Sequence, residues 1–259
     1  MQDRYTGDVG DFGKYGLLRW LCGLREPDTH GLRLGVIWYR TGAEIVARDP
    51  ANDGKHIGYL SPDREDAYRP CDPPLYDGLR DIVRRGERRV EAVVRSRLLG
   101  RDTRSYDDFV PAPTGGARGV ARVIPRRRWL AGALSATRSC DLLFLDPDNG
   151  LEAPSAPITS GRAGKYAYLD ELEELAGGGR SVLVYHHLAR NGTHARQIAR
   201  WSHRLRVRFE PAELLALRFG RGSGRAFFLL AAAEHAPLLR SRAEALLASP
   251  WRRHFTLAT

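Results

Sequence analysis

Short runs of consecutive apolar residues alternate along the chain with longer segments of helical periodicity. The runs at 34–39, 141–146 and 181–186 are rich in branched and aromatic residues, which is typical of strands buried on both faces. Helical spacing is found in the segments between and after them, at 75–85, 89–99, 129–136, 168–176 and 193–205. Strands that alternate with helices predict an α/β fold with a mostly parallel sheet and helices on both faces.

The C-terminal part of the chain departs from this alternation. Two apolar runs, 214–219 and 226–231, flank a glycine-rich turn at 220–225, and this pattern predicts an antiparallel hairpin. A last helix is predicted at 237–248. We therefore expect one Rossmann-like domain over residues 1–259, with the hairpin added to the parallel sheet.

Three segments have no clear periodicity. Residues 1–16 are rich in Gly, Asp and aromatic residues and lead into a predicted helical stretch at 17–24. Residues 40–74 contain many turn formers and are predicted to form a long loop or a lid. Residues 111–119 (PAPTGGARG) are predicted to form a flexible connector.

The charge of the chain points towards an anionic partner. Lys and Arg number 41 against 31 acidic residues, a formal net charge of +10. Such an excess favours contact with nucleic acid or nucleotides, although a solvated basic surface has the same composition. Arg196, Arg200 and Arg204 share one face of a predicted helix and fit either interpretation.

Composition also bears on where the protein works. No apolar run approaches the roughly 18 residues of a membrane helix, so we expect no membrane partner. The three cysteines are widely spaced and include no C-x-x-C pair, which favours neither a disulfide scaffold nor a thiolate metal site. We therefore expect a cytoplasmic protein.

Lysine is rare in this arginine-rich chain, and each of its three lysines follows a glycine. Lys14, Lys55 and Lys165 lie in Gly-Lys-aromatic or Gly-Lys-His sequences. A compact ammonium group differs chemically from a guanidinium, and a preceding glycine leaves room for a ligand to approach the backbone. We interpret the three lysines as lining one anion-binding or catalytic cleft.

The sharpest local motif follows the predicted strand at 141–146. Asp146-Pro147-Asp148-Asn149-Gly150 would stand beyond the carboxyl end of that strand, where open α/β sheets bind ligands. Asp146 and Asp148 could bind Mg²⁺ or Mn²⁺. Alternatively, Asp146 could accept a hydrogen bond from the amine of a base that Asn149 orients, or one carboxylate could act as a general base.

Two histidine-containing motifs are expected at the same edge of the sheet. Asp53 and His56 flank Lys55, and His186 and His187 end the predicted strand at 181–186. Because side chains alternate along a strand, at most one of these two neighbouring histidines enters the cleft. We take His186 as the candidate, together with Asp53, Lys55 and His56.

The order of these elements resembles the second half of the class I methyltransferases that use S-adenosylmethionine. The chain is most similar to the bacterial ribosomal RNA adenine-N6 methyltransferase family, whose Asp-Pro-Pro-Tyr signature corresponds to residues 146–149. The N-terminal segment of that family, with Tyr, Gly-Asn, Ala-Asp and Lys-His, is similar in layout to Tyr5, Gly10-Asp11 and Lys14-Tyr15. The resemblance covers residues 1–24 and 141–231.

This resemblance implies S-adenosylmethionine as the cofactor and methyl transfer to a nucleic-acid base or nucleotide as the reaction. Asp146 would hold the target amine, while Lys14 and Tyr5 would lie near the donor or a flipped base. Asp148 and Asn149 would shape the acceptor pocket.

Two other functions remain open at this point. If Asp146 and Asp148 form a metal site, the protein is a metal-dependent nuclease or a phosphoryl or glycosyl transferase, in which the lysines neutralise phosphate charge. If arginine alone carries the function, the protein is a non-catalytic nucleic-acid-binding protein.

Overall fold

The computed structural model describes residues 3–24, 31–42, 56–111, 113 and 123–258. The strands of its main sheet are, in chain order, β1 (Leu34–Ile37), β3 (Arg104–Tyr106), β5 (Leu142–Leu145), β8 (Ser181–His187), β9 (Glu213–Phe219), β10 (Arg225–Ala231) and β11 (Phe255–Ala258). Two small sheets pair β2 (Arg40–Thr41) with β4 (Phe109–Val110) and β6 (Gly150–Leu151) with β7 (Tyr166–Ala167).

The helices of the described residues flank the main sheet or precede its strands. They are α1 (Val9–Leu21), α2 (Glu65–Tyr68), α3 (Pro73–Arg84), α4 (Val90–Ser96), α5 (Ile124–Ala136), α6 (Leu169–Ala176), α7 (His194–Phe209) and α8 (Ala236–Ala248). None of the helices in this part of the chain has the length and apolar character needed to cross a membrane.

The main sheet has the strand order β11-β9-β10-β8-β5-β1-β3. Its core, β3-β1-β5-β8, is parallel, whereas β10 pairs antiparallel with both β8 and β9, and β11 pairs antiparallel with β9. The predicted α/β fold and its C-terminal hairpin are therefore confirmed, in a mixed sheet with a parallel core.

Each face of the sheet is covered by a separate apolar core. On one face, α1, α3 and α8 pack with buried residues such as Phe12, Tyr76 and Leu239. On the other face, α5, α6 and α7 contribute Trp129, Leu172 and Trp201. Helices thus lie on both faces, which explains why the central strands are continuously apolar.

Helix α1 begins at Val9, eight residues before the helical stretch predicted at 17–24. Its glycines at positions 10, 13 and 16 lie three residues apart and therefore share one side of the helix. A Cβ atom at Gly13 would lie 2.7 Å from the Phe219 ring, and one at Gly16 would lie 2.1 Å from the Trp251 ring. Gly13 thus lets the sheet approach the helix, and the interpretation that it leaves room for a ligand is corrected.

Replacing Gly16 by alanine is expected to lower the free energy of unfolding by about 2 kcal/mol. The methyl group would displace the fully buried ring of Trp251, and overpacking costs about 1–3 kcal/mol, which the better helix propensity of alanine offsets only in part. Urea denaturation measures the change. Gly58→Ala is the control, because nothing lies within 4 Å of its added Cβ; equal stability of the two variants would contradict this packing argument.

The segment predicted as a long loop at 40–74 is structured in its described part. Residues 56–74 form three short 3-10 helices, α2 and the start of α3, and they bury Tyr59, Tyr68 and Cys71. Such short helices have no hydrophobic periodicity. The many turn formers in the segment therefore led to the prediction of a loop. Residues 43–55 lie outside the described residues, as does the predicted connector at 111–119 apart from residues 111 and 113.

Candidate functional site

A cleft of about 760 Å³ opens at the carboxyl ends of β5 and β8. Its walls come from the N-terminal part of α1, from the segments that follow the two strands, and from the turn between β9 and β10. It brings together eight of the residues predicted to form a site: Tyr5, Asp11, Lys14, His56, Asp146, Asp148, Asn149 and Lys165.

Asp146 lies on the floor of this cleft, directly after β5. Its backbone N–H donates to the carbonyl oxygen of Ile37 at 3.0 Å, which anchors the residue to the neighbouring strand β1. The residue is 2% exposed, and its Oδ2 atom accepts a hydrogen bond from Lys14 Nζ at 2.8 Å. A carboxylate in this position is fixed in orientation and reaches the cleft from a rigid part of the fold.

Lys14 joins two carboxylates across the cleft floor. Its Nζ atom lies 2.8 Å from Asp146 Oδ2 and 2.8 Å from Asp11 Oδ1, and Asp11 in turn accepts a hydrogen bond from the N–H of Gly7. Asp8 caps α1 by accepting from the N–H of Asp11 at 2.9 Å. Lys14 and Lys165 line one cleft, as predicted of the three lysines, but the ammonium group of Lys14 is engaged by two carboxylates.

Burial and pairing act in opposite directions on these charges. Desolvation raises the pKa of Asp146 and of Asp11, and the charge on Lys14 limits the rise. Burial by itself would lower the pKa of Lys14. The charges of Asp11 and Asp146 have the larger effect and raise the pKa of the ammonium group above its ordinary value. With Lys14 charged and both carboxylates ionised, the three groups carry one net negative charge.

The turn after Asp146 is held from two sides. The N–H of Asn149 donates to the carbonyl oxygen of Lys165 at 2.9 Å, and its carbonyl oxygen accepts from the N–H of His187 at 3.2 Å. Gly150 has φ +100°, and a Cβ there would collide with His186. Half-buried Asp148 and Asn149 therefore present their side chains to the cleft from a rigid turn.

The structure places His186 outside the cleft, and its neighbour His187 lines the cleft instead. The His186 ring packs against Trp201 and Phe228 on the other face of the sheet, and its Nδ1 accepts from the N–H of Leu151 at 3.1 Å. Burial lowers the pKa of His186 to about 3, so the ring is neutral. Side chains alternate between the two faces along β8 as expected, but His187 lines the cleft where His186 was predicted to do so.

The Asp53-Gly54-Lys55-His56 motif is described only at its last residue. Asp53 and Lys55 lie outside the described residues. His56 lines the cleft, and its carbonyl oxygen accepts a hydrogen bond from the N–H of Val9 at 2.9 Å.

Sequence reasoning missed Arg225, a buried residue of the cleft wall. One of its nitrogens, Nη1, donates to the carbonyl oxygens of Arg221 and Ser223, and its Nη2 lies 3.6 Å from Asp8 Oδ2. Arg225 therefore ties the β9–β10 turn to the start of α1. The available signal was its place beside the glycine-rich turn, which indicated only a hairpin.

In the described part of the chain, no group of three or more His, Cys, Asp and Glu side chains is arranged to hold a metal ion. Asp146, one of the two predicted metal ligands, is paired with Lys14. Comparisons of the chain with protein-family models, with curated proteins and with solved structures found no significant match.

Proposed function

We propose that this cleft transfers a methyl group from S-adenosylmethionine to an amino group of a nucleic-acid base or nucleotide. The observation that carries the proposal is the buried Asp146 carboxylate, held by Lys14 at 2.8 Å on the floor of a cleft at the carboxyl edge of the sheet. Such a carboxylate can accept a hydrogen bond from an exocyclic amine and so orient the nitrogen lone pair.

The order of elements around Asp146 supports this proposal. Strand β5 leads directly into Asp146-Pro147, strand β8 ends in Tyr-His-His, and the hairpin of β9 and β10 follows after α7. This order resembles that of the second half of the class I methyltransferases. The antiparallel β10 lies between β8 and β9, and its first residue, Arg225, lines the cleft.

The charges in the cleft fit S-adenosylmethionine, which carries a positive sulfonium and a negative carboxylate. Asp11, Lys14 and Asp146 together leave negative charge beside α1, whereas Arg162 and Lys165 add positive charge to the lining of the cleft. Tyr5 and Tyr166 offer aromatic surface for an adenine ring. When bound, S-adenosylmethionine supplies an electrophilic methyl group.

Three side chains would bind and orient the methyl acceptor or position the group that does so. Asp146 would accept a hydrogen bond from the amine and take the proton that the nitrogen loses as the nitrogen–carbon bond forms and the sulfur–methyl bond of the sulfonium breaks, which leaves a neutral thioether. Lys14 keeps Asp146 in place and offsets its charge. Asn149 offers a donor and an acceptor to the rest of the acceptor base.

Calorimetry and methyl-transfer assays test the proposal. The protein is titrated with S-adenosylmethionine and, separately, with Mg²⁺ and Mn²⁺, and transfer of a labelled methyl group is measured with RNA, DNA and nucleotides as acceptors. Donor binding with label transfer supports the proposal. Binding of a metal ion without donor binding would contradict it and favour a metal-dependent nuclease or transferase, and binding of neither would favour a non-catalytic nucleic-acid-binding protein.

A further inference from the structure

The turn between β9 and β10 presents unused backbone donors on the wall of the cleft. Gly222, Ser223 and Gly224 all line the cleft, and their three N–H groups donate to no acceptor among the described residues. Gly222 has φ +66°, a left-handed conformation that brings successive N–H groups towards one side. Consecutive N–H groups that point to one side can together bind an anion.

Arg225 fixes the orientation of this turn. Its Nη1 atom donates hydrogen bonds to the carbonyl oxygens of Arg221 at 2.8 Å and Ser223 at 3.1 Å, so both carbonyls face the guanidinium. In a trans peptide the N–H of the next residue points the opposite way, and the described residues contain no cis peptide. The N–H groups of Gly222 and Gly224 are therefore both directed away from Arg225.

Basic and imidazole side chains surround the same turn. The His194 ring occupies the space beside Gly224, with its Cε1 atom 2.4 Å from where a Cβ would stand, and the His56 ring lies 3.8 Å from the corresponding point at Gly222. Exposed Arg190 lines the cleft and has no carboxylate partner in the part of the chain that the structure describes.

The loop that carries Arg190 is anchored to α7 by one side chain. Gln197 Oε1 accepts from the N–H of Ala189 at 2.9 Å, and Gln197 Nε2 donates to the carbonyl oxygens of Ala189 at 2.9 Å and Asn191 at 3.2 Å. These bonds on both sides of residue 190 hold its backbone at the rim. The long Arg190 side chain is thus the adjustable part of an otherwise fixed wall.

We propose that the Gly222–Gly224 turn, together with Arg190, His194 and His56, is a binding subsite for a phosphate group. Backbone N–H groups and a guanidinium are the donors that phosphate oxygens prefer, and their bonds to an anion are charge-assisted. The acidic floor at Asp11 and Asp146 repels phosphate, which confines the anion to this wall. The inference rests on the proposed function only in assigning the phosphate to the methyl acceptor.

The test is a titration of the ¹⁵N-labelled protein with inorganic phosphate, with no methyl donor present, monitored by the backbone amide resonances. We expect the amides of residues 222–224 to shift and the affinity to fall about tenfold in Arg190→Ala, which removes a charge-assisted contact. Arg196→Ala is the matched control, because Arg196 is exposed nearby but does not line the cleft. Amide dispersion verifies that each variant is folded.

Two further titrations identify the source of the phosphate. A nucleoside 5′-monophosphate carries a terminal phosphate, whereas a short single-stranded oligonucleotide with free hydroxyl ends carries only phosphodiesters; the probe that shifts residues 222–224 at the lower concentration identifies the source. Absence of shifts at the turn, or equal losses of affinity in the two variants, would overturn the subsite. Phosphate binding without methyl transfer would contradict the proposed function alone.

Discussion

Asp146→Ala is expected to lower the rate of methyl transfer by about a hundred- to ten-thousand-fold, the usual contribution of a positioned acid–base group. The variant loses the carboxylate that holds the acceptor amine. It should remain folded, because Lys14 keeps a second carboxylate partner, Asp11, at 2.8 Å. Single-turnover transfer of labelled methyl groups measures the rate, and circular dichroism with thermal denaturation verifies the fold.

Asp141→Ala is the matched control for this experiment. Asp141 directly precedes β5 and pairs with Arg33, so it lies at the opposite end of the same strand from Asp146. We expect this variant to keep its methyl-transfer activity even if its stability falls. Wild-type activity in Asp146→Ala would remove the basis of the proposed function.

Lys14→Met is expected to lower the free energy of unfolding by about 3–5 kcal/mol at neutral pH, the usual cost of removing one partner from a buried ion pair. The substitution leaves the carboxylates of Asp11 and Asp146 buried without their shared cation. Urea denaturation at several pH values measures the loss.

The loss of stability in Lys14→Met should become smaller as the pH falls. Burial raises the pKa of both carboxyl groups above the ordinary value of 3.8, so the folded variant binds more protons than the unfolded chain in the range above that value. The Lys14→Met variant therefore keeps its stability at low pH and loses it as the pH rises through the raised pKa values of the two carboxyl groups.

Arg33→Met provides the comparison with an exposed ion pair. The Arg33 side chain is 61% exposed, so solvent screens its pair with Asp141, and we expect its removal to change the free energy of unfolding far less than the removal of Lys14 does. A Lys14→Met variant as stable as Arg33→Met, or one whose stability does not improve at lower pH, would show that the Asp11–Lys14–Asp146 cluster is not the buried pair described above.

The pattern of apolar residues was sufficient to predict the centre of the fold. Strands β1, β5 and β8 are buried on both faces, so each appears in the sequence as an unbroken apolar run. The edge strands β3 and β11 were missed because they are short and contain exposed or polar positions such as Arg104 and Thr256. Packing against a formed sheet, rather than local preference, makes them strands.

The candidate site was predictable only in part. The rule that ligands bind at carboxyl ends of parallel strands placed Asp146 at the edge of the sheet where the cleft opens. Its contact with Lys14, 132 residues away, depends on where α1 begins, and three glycines in that helix obscured its start. The choice between His186 and His187 depends on the phase of β8, which an unbroken apolar run does not reveal.

The side of α1 that carries its glycines packs against residues that are distant in the sequence and lie outside the cleft. Because Gly13 and Gly16 rest directly on Phe219 and Trp251, these two rings set the distance of the helix axis from the elements beneath it. That spacing also sets how far Lys14 extends towards Asp146. The two rings thus fix the spacing on which the ion pair depends, and a smaller ring at position 251 would alter the cleft although Trp251 does not line it.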